Sequence, residues 1–180
     1  MGIKPIETFY NGYRFRSRLE ARWAVFFDAA GIKYQYEPEG FDLGDGIYYL
    51  PDFYLPDDEV WVEIKGSAPS DIECEKMLRF GQLVCGDMRV TGKRYRVLIG
   101  EIPYREEEIG DVIPCLIYES EEMMDDFLKS QGFPLKAPEY GTFIKGLWIH
   151  NRGLEKGRKA LLAARQARFE HGETPSVKLA

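Results

Sequence analysis

"LPDFYLPDDEVWVEIKG", residues 50–66, decides the fold. Val60 to Lys65 alternate as a β-strand does, and β-branched and aromatic side chains suit that conformation. Val60, Val62 and Ile64 then share one face, and Glu63 and Lys65 share the other. The first set is apolar and belongs in a core, which leaves Glu63 and Lys65 to project into a cleft. Asp52 follows Pro51 and ends the strand before this one. If the two strands pair as an antiparallel hairpin, Asp52 and Glu63 approach each other. Two neighbouring carboxylates repel and raise one another's pKa unless a cation lies between them. A divalent, oxygen-preferring ion such as Mg²⁺, with Mn²⁺ as a substitute, suits that position. The Ile64 carbonyl is a further candidate ligand. Lys65 beside it could hold or deprotonate a water, or stabilise charge on a phosphate.

Working outward, "SRLEARWAVFFDAAGI" (17–32) predicts a helix. Leu19, Trp23, Phe26, Phe27 and Ala30 recur at helical spacing. Ser17 is a cap with Glu20 three residues later, and Gly31 is a stop. "KYQYEPEGF" reads as a strand ended by Pro38, followed by a turn at Asp45-Gly46 and a second strand through "YYLPDFYL". A helix from about 71 to 84, strands in "KRYRVLIGE" and "DVIPCLIYE", and a short helix in "SEEMMDDFLKSQG" complete the series. The order predicts an α/β (α+β) fold in which a mixed central sheet is flanked by helices. After about Pro134 the chain turns loop-like, then basic. Residues 1–134 are expected as one domain, and residues 135–180 as a loop and basic helical extension with an apolar stripe of Leu154, Leu161, Leu162 and Ala164.

Bulk properties narrow the function. A chain of 180 residues suits one domain with an appendage. Cys74, Cys85 and Cys115 form no CxxC pair, which speaks against a disulfide framework or structural zinc and for a reducing, cytoplasmic setting. The N-terminus has no signal-peptide core, Ile6 breaks a myristoylation pattern, and no apolar run suits a membrane span. A net charge of −6 argues against indiscriminate coating of nucleic acid. The charge is uneven, however. Residues 104–126 are acidic, whereas "RFRSR" (14–18) and 152–168 are basic and could track phosphates.

"PD" at 51–52, ten intervening residues and "EIK" at 63–65 resemble the PD-(D/E)xK nuclease motif. The element order resembles that superfamily's restriction-endonuclease-like αβββαβ core over roughly residues 13–100. "YRFRSRLEARWAVFFDAAGIKYQYEP" is most similar to small phage and mobile-element nucleases. The resemblance implies a Mg²⁺-dependent endonuclease acting on DNA in a bacterial or phage-infected cell, leaving 5′-phosphate and 3′-hydroxyl ends. It implies Asp52 and Glu63 as metal ligands, Glu20 as a third acidic ligand, direct or through water, and Lys65 at the nucleophile or transition state. Gln82, on the following helix, matches a supporting polar position of some members and is equally a surface residue. Glu20 is otherwise half of a capping box. Arg14, Arg16 and Arg18, with Arg158, Lys159 and Arg165 of the tail, are candidate DNA contacts. Tyr10, Tyr13 and Phe15 are core or base-stacking residues. His150 and His171 have no neighbours of catalytic type. A double-strand cut implies a homodimer, two sequential nicks or a larger nucleoprotein assembly. The rival readings are a catalytically silent DNA-binding or assembly module, and a phage-encoded inhibitor whose acidic stretch imitates DNA.

Overall fold

The computed structural model describes residues 5–67, 69–85, 94–99, 102, 115–117, 154–169 and 175. The helix expected within 120–132, most of the acidic 104–126 stretch, the boundary at 134, His150 and His171 lie outside them. The described elements are β1 (Thr8–Tyr10), β2 (Tyr13–Phe15), α1 (Arg18–Ala30), β3 (Gln35–Tyr36), β4 (Phe41–Asp42), β5 (Tyr48–Tyr49), β6 (Phe53–Leu55), β7 (Val60–Lys65), α2 (Asp71–Cys85), β8 (Arg94–Ile99), β9 (Cys115–Ile117) and α3 (Leu154–Gln166).

The expected mixed sheet is present. Its strand order is β3-β6-β7-β8-β9. β3, β6 and β7 form an antiparallel meander, α2 crosses over so that β8 lies parallel to β7, and β9 is antiparallel to β8. β7 is central and its first five residues are buried, since both of its faces are covered. Val60, Val62 and Ile64 pack in a core with Trp23, Phe26 and Phe27 of α1. On the reverse face Trp61 joins Met77 and Phe80 of α2 and Tyr95 and Val97 of β8. This is the alternation the sequence predicts.

α1 starts and stops where expected. Ser17 Oγ accepts from the Glu20 amide, and Gly31 takes a left-handed φ of 64° that closes the helix. The strand expected from Lys33 to Pro38 and its successor are shorter and more divided than expected. β3 covers two residues, and β4 and β5 form a separate two-stranded ribbon around the Asp45-Gly46 turn. Both turn residues have positive φ, 53° and 75°, the geometry of a type I′ hairpin. Pro51 cannot donate to a ladder, so pairing stops between β5 and β6, and the chain re-enters the central sheet at Phe53.

The N-terminal hairpin β1–β2 was not expected. It pairs Tyr10 with Tyr13 across Asn11-Gly12, whose φ values of 47° and 82° again give a type I′ turn. This hairpin places Tyr10 and Phe15 in the core and packs Tyr13 against it. The ring centroids of Phe15 and Tyr36 are 4.3 Å apart. The base-stacking reading of these three rings is therefore replaced by a packing role.

The basic C-terminal helix is not a separate extension. α3 packs on α1 and sends Ala160, Leu161 and Ala164 into the same core, joined by Ala167 just past its end. Small residues at helical spacing let the two helices approach closely. Leu162, assigned to the apolar stripe from sequence, is 55% exposed, because one residue past Leu161 rotates it about 100° away from α1. Leu161→Ala is expected to cost about 2–3 kcal/mol, measured as a lower denaturation midpoint with unchanged slope. A neutral result would show that α3 contributes little to the core.

Among the described residues no helix is long and apolar enough to cross a membrane. Cys74 is a buried free thiol.

Candidate active site

The register between β6 and β7 builds the site. Phe53 pairs with Val62, so one residue further on Asp52 lies opposite Glu63. Asp52 is held there by its Oδ2, which accepts from the Ile64 amide at 2.7 Å. An amide and carbonyl of one residue in an extended strand point to the same edge, so the Ile64 carbonyl lies on the Asp52 side as well. Asp52 and Glu63 are 5% and 4% exposed, rare burial for two carboxylates.

These two groups lie in a cavity of about 690 Å³ that Glu20, Lys65 and Glu73 also line. Burial first, then the charges of Glu63 and Glu20, hold Asp52 well above the usual carboxylate range. Burial likewise raises Glu63, against the opposing pull of Lys65. Lys65 Nζ donates to Glu63 Oε1 at 3.0 Å and to Glu73 Oε1 at 2.9 Å. Burial alone would lower the Lys65 pKa, but the two carboxylates outweigh it and hold it above the ordinary lysine value. Glu63 Oε2 is buried with no hydrogen-bond partner. The Tyr49 hydroxyl, which feels the Glu63 charge, is hydrogen-bonded to Tyr95 at 2.7 Å.

Glu20 is placed differently from a direct third ligand. Ser17 Oγ donates to its Oε1 at 2.6 Å, and the Tyr36 hydroxyl and Arg16 amide donate to its Oε2 at 2.6 and 3.1 Å. Both oxygens are engaged in closing the start of α1 onto β3. Among the described residues, no three Asp, Glu, His or Cys side chains gather closely enough to chelate one ion. What converges is a pair, Asp52 and Glu63, with the Ile64 carbonyl beside them. The pair nevertheless fits a divalent cation. A buried, unpartnered carboxylate oxygen next to a second buried carboxylate is a donor set that a divalent cation would satisfy.

Glu73 was not anticipated. It stands in the first turn of α2, where Ser70 caps the helix. The Ser70 amide and hydroxyl both donate to Glu73 Oε2, at 2.9 and 2.8 Å, which leaves Oε1 for Lys65. Partial burial disfavours its charge, but the Ser70 and Lys65 hydrogen bonds prevail and lower its pKa to about 2. Ser70-x-x-Glu73 is a capping-box spacing, so the local half of this arrangement was readable. The contact with Lys65 depends on how α2 docks against β7.

The remaining expected residues divide clearly. Arg16 and Arg18 line the cavity. Arg16 is ion-paired with Glu37. Arg14 is paired with Glu7 and lies over the Phe9 ring, outside the cavity lining. Arg158, Lys159 and Arg165 also lie outside it: Arg158 is exposed on α3, Lys159 pairs with Glu155, and Arg165 donates to the Ile102 carbonyl at 3.0 Å. Gln82 is exposed on α2, nine residues beyond Glu73, and does not line the cavity.

Comparison with family models, with curated proteins and with solved structures gives no match to this chain. The site's own chemistry therefore carries the functional reading.

Proposed function

We propose that this chain is a divalent-cation-dependent endonuclease of the restriction-endonuclease-like kind, which hydrolyses phosphodiester bonds in DNA and leaves 5′-phosphate and 3′-hydroxyl ends. One observation carries the proposal: two buried carboxylates, Asp52 and Glu63, meet in an open cavity with a fixed ammonium, Lys65, beside them. A protein that needed only a scaffold would gain stability by replacing this repelling pair.

Asp52 and Glu63 would hold Mg²⁺ or Mn²⁺ together with the Ile64 carbonyl. When bound, such an ion lowers the pKa of its water and offsets charge on the scissile phosphate. Glu20, turned into its own cap, acts on the site through its charge or through water. Lys65 stays protonated at neutral pH, because Glu63 and Glu73 hold its pKa up. It is therefore a poor proton acceptor. Its role is to orient the attacking water or to stabilise the negative charge that develops on the phosphate. Glu73 accepts from Lys65 alongside Glu63 and so positions the ammonium.

Supercoiled plasmid, branched and single-stranded DNA incubated with Mg²⁺ test the proposal. The wild type is expected to cut at least one of them, with cleavage blocked by EDTA and lost in Glu63→Gln and Lys65→Ala. Cleavage that survives in both variants would sink it. Nicked plasmid as the product would indicate one active site per event. Linear product would indicate paired sites or two sequential nicks.

A further inference from the structure

Four cationic side chains line the cavity: Arg16, Arg18, Arg22 and Lys65. Arg16 is matched by Glu37, and Lys65 by Glu63 and Glu73. Arg22 is different. It is half-buried on α1, one helical turn after Arg18, and its Nε is buried without a hydrogen-bond partner. Among the described residues no carboxylate pairs with it. A guanidinium half removed from water and left unmatched loses hydration without compensation. Its rigid fork of donors is suited to the oxygens of a phosphate, which can take two parallel hydrogen bonds.

The surroundings select the ligand. Residues i and i+4 on a helix are neighbours, so Arg18 and Arg22 present two guanidinium groups along one side of the cavity. Asp52, Glu63 and Lys65 lie within the same cavity. Once the buried carboxylates are neutralised, by protons or by a cation, the positive charge along α1 prevails. A free monoanion needs only one such group. An array of cations leading away from a hydrolytic centre suits a ligand with repeated anionic groups.

We infer that Arg22, with Arg18 beside it, forms a phosphate-binding subsite that takes a backbone phosphate of the polynucleotide next to the one at the carboxylate pair. The inference rests on the nuclease reading for the identity of the polyanion. It does not rest on it for the unmatched guanidinium. Arg22 has no place in the short motif that suggests the chemistry, and it emerges only from where α1 docks.

The test measures binding apart from cleavage. Fluorescein-labelled duplex, single-stranded and branched DNA are titrated with full-length Asp52→Asn, alone or combined with Arg22→Gln, Arg22→Lys or Arg79→Gln. Arg79 is ion-paired with Asp45 and Glu75 and lies outside the cavity, so it serves as the control for lost positive charge. Arg22→Gln is expected to weaken binding of the preferred DNA roughly tenfold and to reduce the slope of log affinity against log salt by about 1. Arg22→Lys should recover the slope but only part of the affinity, since it keeps the charge and loses the fork. Arg79→Gln should leave the slope unchanged. Thermal melts confirm that each variant is folded. If Arg22→Gln is folded and leaves both affinity and slope unchanged, or if the parent protein binds none of the three DNAs at low salt, the subsite is overturned. The two proposals fail separately. Loss of binding in Arg22→Gln alongside cleavage that ignores Asp52 and Glu63 would sink the nuclease chemistry and keep the subsite. Cleavage that needs Asp52 and ignores Arg22 would do the reverse.

Discussion

Asp52→Asn is expected to lower DNA cleavage by about a thousandfold and, in the same protein, to raise the melting temperature of the metal-free form at neutral pH. The opposite signs follow from the site. Asparagine keeps an oxygen to accept from the Ile64 amide, so the link between β6 and β7 survives. It removes a charge that burial and the neighbouring Glu63 and Glu20 make unfavourable. The folded-state pKa of Asp52 is raised, so the native state holds a proton that the unfolded chain releases from about pH 4 upward. Stability therefore falls as pH rises from the unfolded value through the folded one. Glu63 contributes in the same direction. Metal-free wild type should melt progressively lower as pH rises above the ordinary carboxylate range, and Asp52→Asn should flatten that slope. A gain of about 1 kcal/mol would appear as a rise of about 2–4 °C in a chain of this size.

Divalent cation should produce the converse. A ligand that binds only the folded state stabilises by about 2.7 kcal/mol at a hundredfold excess over its dissociation constant. Mg²⁺ or Mn²⁺ should accordingly raise the melting temperature of wild type at neutral pH and leave Asp52→Asn unmoved. Scanning calorimetry over pH, with and without Mn²⁺, measures all of these quantities. A wild-type protein whose melting temperature ignores the ion would remove the metal from the proposed mechanism. A variant that melts below wild type would show that the buried pair is matched by contacts better than those described.

The second large effect concerns the neighbouring residue. Phe53→Ala is expected to destabilise the fold by about 3–5 kcal/mol, against a total of about 5–15 kcal/mol for a typical domain. Phe53 is fully buried, and its ring lies 5.2 Å from Phe27, 5.3 Å from Tyr36 and 5.6 Å from Tyr34 between centroids. Truncation leaves a void that the rings of α1, of β3 and of the segment between them cannot close together. The loss should reach the site as well. Phe53 directly follows Asp52 and pairs with Val62, the neighbour of Glu63, and Tyr36, which packs on it, holds Glu20. Urea denaturation should give a much lower midpoint, and cleavage should fall even at temperatures where the variant remains folded. A cost under about 1 kcal/mol would mean that the cluster repacks, and would remove this link between core and site.

Much of the site was legible in the chain. Alternation from Val60 to Lys65 separated core from cleft, and the hairpin between Asp52 and Glu63 brought the two carboxylates together as the spacing implied. Ser17, Glu20 and Gly31 bounded α1 correctly, because caps and stops are chemistry between residues a few positions apart. The Asn11-Gly12 hairpin was encoded just as locally but passed unread, since strands of three residues carry little periodicity. Tertiary structure decided the rest. Glu20 could be a ligand or a cap until Tyr36, sixteen residues away, took one of its oxygens. Glu73 met Lys65 only because α2 crosses over the face of β7 that bears Glu63. The C-terminal helix was basic by composition, yet Ala160, Leu161 and Ala164 made it part of the core once α1 offered a matching surface. Short-range pattern sets the conformation of each element and which side chains share a face. Which elements meet, and which charges are left without a partner, depends on packing among residues far apart in the chain, and no local pattern records it.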